Sequence, residues 1–228
     1  MRSGFRWNAA DAYLFDIDGT LLNCRDAVHY FAFHHAVRQV FGREVKIDGV
    51  PVHGNTDIGI LRAVLRRDGV ADDDIDAGLP QMIAQMSAEV QRNSEHLRPE
   101  LCPSITGLLS RLQEEGKLLG AATGNLETVG WLKLEKAGLR QMFSFGSFCF
   151  PREHRADILR HGVNLARERL GSQASVYVVG DTPADIEAAR QANAPVIAVA
   201  TGIYRLDDLL ACRPDACFGC GTDMLKVW

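Results

Sequence analysis

The chain has 228 residues, enough for one substantial domain or for a domain carrying a smaller insertion. Its 46% hydrophobic and 24% charged residues make an ordinary globular mixture, and a formal charge of −4 spread without blocks argues against a nucleic-acid binding surface. No apolar run approaches the length needed to span a bilayer, and Met1–Ala10 lacks the apolar core of a secretory signal, so a soluble, cytoplasmic protein is the expectation.

In chain order, Tyr13-Leu14-Phe15-Asp16-Ile17 is an apolar run that ends on aspartates and then Gly19-Thr20, the pattern of a buried strand stopping at a polar loop. From Leu22 to about Pro99 no strand pattern follows. Amphipathic segments near Ala27–Phe41, Asp57–Arg67 and Asp73–Gln91 occupy the stretch instead. A gap of that length reads as an inserted helical domain rather than a loop, with hinges near Leu21–Arg25 and Leu97–Pro103. Its first helix carries His29, His34 and His35; surface or core positions are the expectation, with one of the three a candidate to face the cleft.

Beyond the insertion, Ser104 is placed to cap a helix through Leu108, Leu109 and Leu112 that stops at Gly116. A strand over Leu118–Thr123 ends in Gly124-Asn125, and a helix over Glu127–Ala137 stops at Gly138. A helix over Ala156–Leu170 leads to a strand at Val176–Gly180, which runs into Asp181-Thr182-Pro183. Pro183 opens the next helix. Pro195–Ala200 makes a fourth strand, and Ala216–Phe218 a short fifth at the sheet edge. Strands alternating with helices predict an α/β fold: a doubly wound, Rossmann-like parallel sheet formed by residues 1–22 and 100–228, with an α-helical cap over 23–99. Six scattered cysteines do not make a disulfide framework in a chain of this size. The Cys217-x-x-Cys220 pair lacks the second pair that a zinc site would want, so ordinary thiols are expected.

Polar groups sit at the C-terminal ends of three different predicted strands: Asp16 and Asp18, Thr123 and Asn125, Asp181 and Asp185. In an open parallel sheet those ends face one crevice. Asp16, Asp18 and Asp181 form an oxygen-rich cluster suited to a hard cation, Mg²⁺ in particular, without which the carboxylates would repel one another and an anionic substrate. Asp16 at the strand tip is then placed to attack phosphorus, and Asp18 to protonate the leaving oxygen and later activate water. Thr123 and backbone N–H groups around Gly19 and Gly124 are placed to hold phosphoryl oxygens. Each motif taken singly also fits a turn or a helix cap, but one site accounts for all of them together.

Phe15-Asp16-Ile17-Asp18-Gly19-Thr20-Leu21, Ala122-Thr123-Gly124-Asn125 and Val179-Gly180-Asp181-Thr182-Pro183-Ala184-Asp185 resemble the first, second and fourth motifs of the haloacid dehalogenase-like hydrolase superfamily. Within it, the chain is similar over nearly its whole length to the phosphoglycolate phosphatase-like branch, which carries a helical cap after the first strand. The resemblance implies a Mg²⁺-dependent phosphatase acting on a small phosphorylated metabolite. Asp16 would be the nucleophile and Asp18 the acid/base, with Asp16, Asp181 and the Asp18 carbonyl holding the metal and Asp185 supporting it. The third motif departs from the family pattern. Pro151-Arg152-Glu153-His154-Arg155-Ala156-Asp157 has no lysine, so Arg155, with Arg152 second, is expected in its place; an arginine keeps the charge but is a planar fork.

The likeness also places His53-Gly54-Asn55 on a cap loop that dips toward the substrate, while the same residues read locally as a turn before a helix capped by Thr56. Among competing functions, a dehalogenase is opposed by Asp18. Phosphonate cleavage would want a cap lysine, and only Lys46 is present. A phosphomutase of the same superfamily would share Asp16 and Asp18, and a phosphate-binding regulatory protein without turnover would fit the missing lysine.

Overall fold

The computed structural model describes residues 4–24 and 26–228; Arg25, at the end of the first expected hinge, and residues 1–3 lie outside them. The chain opens with β1 (Ala12–Phe15) and β2 (Leu22–Cys24), then runs through three helices: α1 (Val28–Phe41), α2 (Asp57–Arg67) and α3 (Asp72–Arg92). It returns through β3 (Pro99–Leu101) and then alternates α4 (Ile105–Glu114), β4 (Leu118–Ala122), α5 (Glu127–Lys136), β5 (Phe145–Ser147), α6 (Arg155–Leu170), β6 (Val176–Gly180), α7 (Pro183–Gln191), β7 (Val196–Val199), α8 (Leu206–Ala211), β8 (Ala216–Phe218) and α9 (Gly221–Lys226).

Six strands form a parallel sheet in the order β5-β4-β1-β6-β7-β8. All four residues of β1 are buried, because helices cover both faces of the sheet. The period of two divides the core accordingly. Ala12 and Leu14 share a cluster with Ile158, Leu159 and Val163 of α6 and Ile186 of α7. Tyr13 and Phe15 point the other way, into a cluster with Leu108, Leu109 and Leu112 of α4 and Met224 of α9. The chain leaves β1 toward β4 on one side and comes back to β6 on the other, so the strand order reverses between β1 and β6. A crevice opens at such a switch point beyond the carboxyl ends of the strands.

The α/β architecture is as expected, with four differences in detail. β1 stops at Phe15 because the Ile17 carbonyl turns to accept the N–H groups of Thr20, Leu21 and Leu22. At the expected hinges, β2 and β3 pair antiparallel as a separate two-stranded ribbon. β5, three residues inside a phenylalanine-rich stretch, extends the sheet at its edge. Ser104 stands at the start of α4 but makes no side-chain cap there; its hydroxyl meets Thr222 at 2.7 Å. Between β2 and β3, α1, α2 and α3 bury Phe33, Ile58, Leu61, Ile75, Met82 and Met86. Thr56 caps α2 by accepting from the Gly59 N–H.

Candidate active site

The parallel register levels three strand tips: Phe15 stands opposite Ala121 of β4 and Val179 of β6. The residues that follow, Asp16, Thr123 and Asp181, therefore emerge together at the switch point, and all three are buried. They line a cavity of about 330 Å³ with Asp18, Asn125 and Arg155. Gly19 turns the chain at a φ of +84°, and a Cβ there would collide with the Asp181 carboxylate, so a bulkier residue would push the two loops apart. Thr20 donates its hydroxyl to Asp181 Oδ1 at 3.0 Å. The Gly19 N–H is spent on the Leu22 carbonyl at 2.8 Å, so it is not available to phosphoryl oxygens; Gly19 contributes the close approach instead.

Arg155, the first residue of α6, reaches into this cluster. Its Nη2 lies 2.7 Å from Asp16 Oδ2, while Nε and Nη2 lie 2.8 and 2.5 Å from Asp185 Oδ1. Arg152 is not among the lining residues. The other oxygen of Asp185 completes a capping box with Thr182, accepting its N–H at 3.0 Å and its hydroxyl at 2.7 Å. Asp185 thus works both as helix cap and as the carboxylate that orients Arg155.

One oxygen from each of Asp16, Asp181 and Asp185 lies within 4.8 Å of the others. Burial, then the charges of Asp185 and Asp16, push the Asp181 carboxyl above its ordinary range. Asp16 is raised by burial as well, with Arg155 opposing the shift and Asp185 and Asp18 adding to it. One guanidinium does not balance three buried carboxylates. The all-oxygen donor set and this unbalanced charge fit a hard divalent cation such as Mg²⁺, which neutralises carboxylates and retains waters. Asp185, with both oxygens engaged, fits a supporting place better than a direct one.

Asp18 behaves differently. Burial raises its carboxyl, but the Lys133 ammonium and hydrogen bonds from Lys133 and Asn125 outweigh that and hold it below the ordinary range. Lys133 Nζ lies 2.9 and 2.7 Å from the two Asp18 oxygens. Asn125 donates Nδ2 to Asp18 Oδ2 and to Thr123 Oγ1, each at 2.8 Å. Lys133 was not singled out from the sequence, yet a signal was there. On α5 the buried residues are Val129, Gly130, Lys133 and Leu134, so a lysine occupies the apolar stripe of an amphipathic helix.

Residues of the helical segment line the other side of the cavity. His53, Gly54 and Asn55 all line it. Gly54, at a φ of +76°, is so close to α7 that a Cβ would lie 2.8 Å from Ala184 Cβ and 2.9 Å from Thr182 Oγ1. Asn55 spends its amide on its own loop, donating to the Pro51 carbonyl and accepting from the Thr56 N–H. The Asp57 N–H donates to the Gly124 carbonyl at 2.8 Å, and Asp57 Oδ2 accepts from the Leu126 N–H at 2.7 Å. Arg62 of α2 forks onto Glu153 at 2.6 and 2.8 Å. His29 faces the cavity, whereas the His34 ring packs tilted against Tyr30 and His35 lies 3.7 Å from Glu89. Tyr30, Phe33, Ile47, Val52 and Ile60 give this side an apolar wall. The six cysteines are free thiols, and neither Cys217 nor Cys220 belongs to the metal-competent cluster found among the described residues. No helix among the described residues is long and apolar enough to cross a membrane.

Comparison with known proteins agrees with this geometry. The family model described as haloacid dehalogenase-like hydrolase matches residues 13–199. Phosphoglycolate phosphatase of Synechococcus elongatus is 29% identical over 224 residues, spanning 95% of this chain and 96% of that protein. Phosphoglycolate phosphatase of Agrobacterium fabrum is 30% identical over 206 residues, spanning 89% and 85%. Among solved structures, CbbY from Rhodobacter sphaeroides in complex with phosphate superposes with a TM-score of 0.68 at 19% identity, covering 94% of this chain and 96% of that one, a likeness of fold.

Proposed function

Because this chain belongs to the haloacid dehalogenase-like hydrolase family, we propose that it is a Mg²⁺-dependent phosphatase that hydrolyses a small phosphomonoester through an aspartyl-phosphate on Asp16. What supports this most is the convergence of Asp16, Asp18, Thr123, Arg155 and Asp181 on one cavity at the tips of three adjacent strands. The resemblance to two phosphoglycolate phosphatases, over most of both chains, supports the same chemistry.

In the first half of the reaction Asp16 attacks phosphorus and the bond from phosphorus to the alcohol oxygen breaks; the proton that oxygen takes up comes from water by way of Asp18, whose carboxylate the Lys133 ammonium holds ionised at rest. In the second half Asp18 takes a proton from water as the water oxygen attacks phosphorus. The bond to Asp16 then breaks, releasing inorganic phosphate and restoring the carboxylate. Arg155 and the Thr123 hydroxyl hold the phosphoryl oxygens while charge redistributes over them. The Gly124 N–H is the remaining backbone candidate for that task. Bound Mg²⁺ supplies the positive charge that lets a phosphate dianion approach four aspartates. Asp16, Asp181 and the Asp18 carbonyl would hold it, and Asp185 would support them.

Residues 23–99 act in this scheme as a cap over the cleft, with His53, Gly54 and Asn55 on the loop nearest the core. The alcohol moiety would lie against the apolar wall of Phe33, Ile47 and Ile60. The test is phosphate release from a panel of phosphomonoesters led by phosphoglycolate, with sugar phosphates and nucleoside monophosphates, in the presence and absence of Mg²⁺. Asp16→Asn is run beside the wild type. Release that requires both the metal and Asp16 is expected. Turnover surviving in Asp16→Asn sinks the nucleophile assignment, and transfer of phosphate between substrate positions without release identifies a phosphomutase.

A further inference from the structure

We propose, on the reading of Asp16 as nucleophile and Asp18 as its acid/base partner, that Lys133 is the positioning residue for Asp18 and serves chiefly the attack of water on phosphorylated Asp16. Lys133 is 2% exposed, on the core-facing stripe of α5. An ammonium has three protons and no acceptor. Here it meets three acceptor groups: the Asp18 carboxylate at 2.7 Å, Asn125 Oδ1 at 2.9 Å and His29 Nδ1 at 3.1 Å. Asn125 closes a ring by donating to the same carboxylate at 2.8 Å. Two core side chains thereby fix the orientation of Asp18.

The exposures of the partners distinguish positioning from plain structural pairing. The Asp18 side chain keeps a face toward the cavity, 42% exposed, although its surroundings already disfavour a bare charge, whereas Lys133 is almost wholly buried and gives up its own hydration to reach it. An apolar residue at this stripe position would satisfy packing at less cost. What the lysine adds is a carboxylate that cannot swing while a water molecule is being aimed at phosphorus. General base catalysis depends on that aim, because the base must lie within hydrogen-bond reach of the attacking water.

The third acceptor belongs to the helical insertion. His29 is on α1, and because its Nδ1 faces an ammonium it must accept there. Its Nε2 lies 3.2 Å from Asp57 Oδ1 at the start of α2. Asp57 is in turn bonded to the backbone of Gly124 and Leu126 beside the cavity. One leg of the tripod around Lys133 is therefore supplied by α1, so the helical insertion itself helps to hold Asp18.

The experiment is stopped-flow hydrolysis of p-nitrophenyl phosphate by Lys133→Met with Mg²⁺, beside wild type, Asp18→Asn and the double variant. p-Nitrophenolate leaves without needing a proton, so transfer to Asp16 proceeds while the water step depends on Asp18. The expected result is a burst of about one equivalent of p-nitrophenolate, then a steady state about 100-fold below wild type, the scale of general base catalysis. Acid-quenched protein should retain the phosphate, and Lys133→Met should cost nothing further on the Asp18→Asn background. A loss without a burst that multiplies with that of Asp18→Asn would overturn the proposal, as would wild-type turnover. Should Lys133→Met fail to fold, Lys133→Gln keeps an N–H toward Asp18 and is read by the same burst and the same double variant. A wild type with no Mg²⁺- and Asp16-dependent turnover at all would count against the phosphatase reading itself, a separate outcome.

Discussion

Arg155→Met removes a guanidinium held between two buried carboxylates. The arginine side chain is 10% exposed, and its partners Asp16 and Asp185 are 8% and 2% exposed. Removing one partner of a buried pair costs about 3–5 kcal/mol, because the remaining charges stay in a poor solvent. Asp16 is already pushed toward its protonated form and relieves part of that cost by taking up a proton, so a loss near the lower end, about 3 kcal/mol, is expected in metal-free protein at neutral pH. The effect on turnover is separate. Loss of a donor to the transferring phosphoryl group should lower kcat by roughly 100- to 1000-fold. Arg155→Lys keeps the charge but not the fork that engages both carboxylates, so it should recover part of the stability and little of the rate. Urea unfolding without metal and steady-state phosphate release with Mg²⁺ measure the two effects. A stability loss below about 1 kcal/mol, the scale of an exposed pair, together with unchanged kinetics would refute the assignment of Arg155.

The remaining expectations concern the metal cluster and the thiols. The Asp181 carboxyl is raised above the ordinary value of about 3.9, so over the window above that value the folded, metal-free protein holds a proton that the unfolded chain has released. Stability contributed by this group falls as pH rises through the window, and Asp181→Asn, which lacks the titration, should gain on wild type toward neutral pH. Urea midpoints measured across pH test this, added Mg²⁺ should reverse the order, and parallel pH profiles would contradict it. Replacing Cys217 and Cys220 together by serine should leave turnover and metal content unchanged, as measured by phosphate release and elemental analysis; loss of bound metal would reopen a role for that pair.

Much of the machinery was legible because it is local. Phe15-Asp16-Ile17-Asp18-Gly19-Thr20 and Gly180-Asp181-Thr182-Pro183 are strand-to-loop transitions whose apolar runs and turn residues declare themselves within a few positions. The helices of 23–99 announce themselves by period. Even the choice of Arg155 over Arg152 followed from its place at a helix start, and it is Arg155 that touches Asp16 in the structure. Some short elements escaped, although β8, also three residues long, was expected at the sheet edge. β5 and the β2–β3 ribbon have three residues per strand, too few to show a period, and they exist only because a neighbouring strand supplies hydrogen-bond partners.

Burial of charge and the spending of polar groups were decided by tertiary structure. Nothing adjacent to Lys133 explains a lysine on an apolar stripe; Asp18 lies 115 positions away, and His29 comes from a different helix. The Gly19 N–H read as a phosphate contact, but the Leu22 carbonyl takes it, while Asn55 bonds its own loop and still lines the cavity. Sequence by itself determined which groups stand at the strand tips, because strand, turn and cap are encoded over a few residues. Which of those groups are paired, and which remain open to a ligand, depended on partners supplied from across the fold.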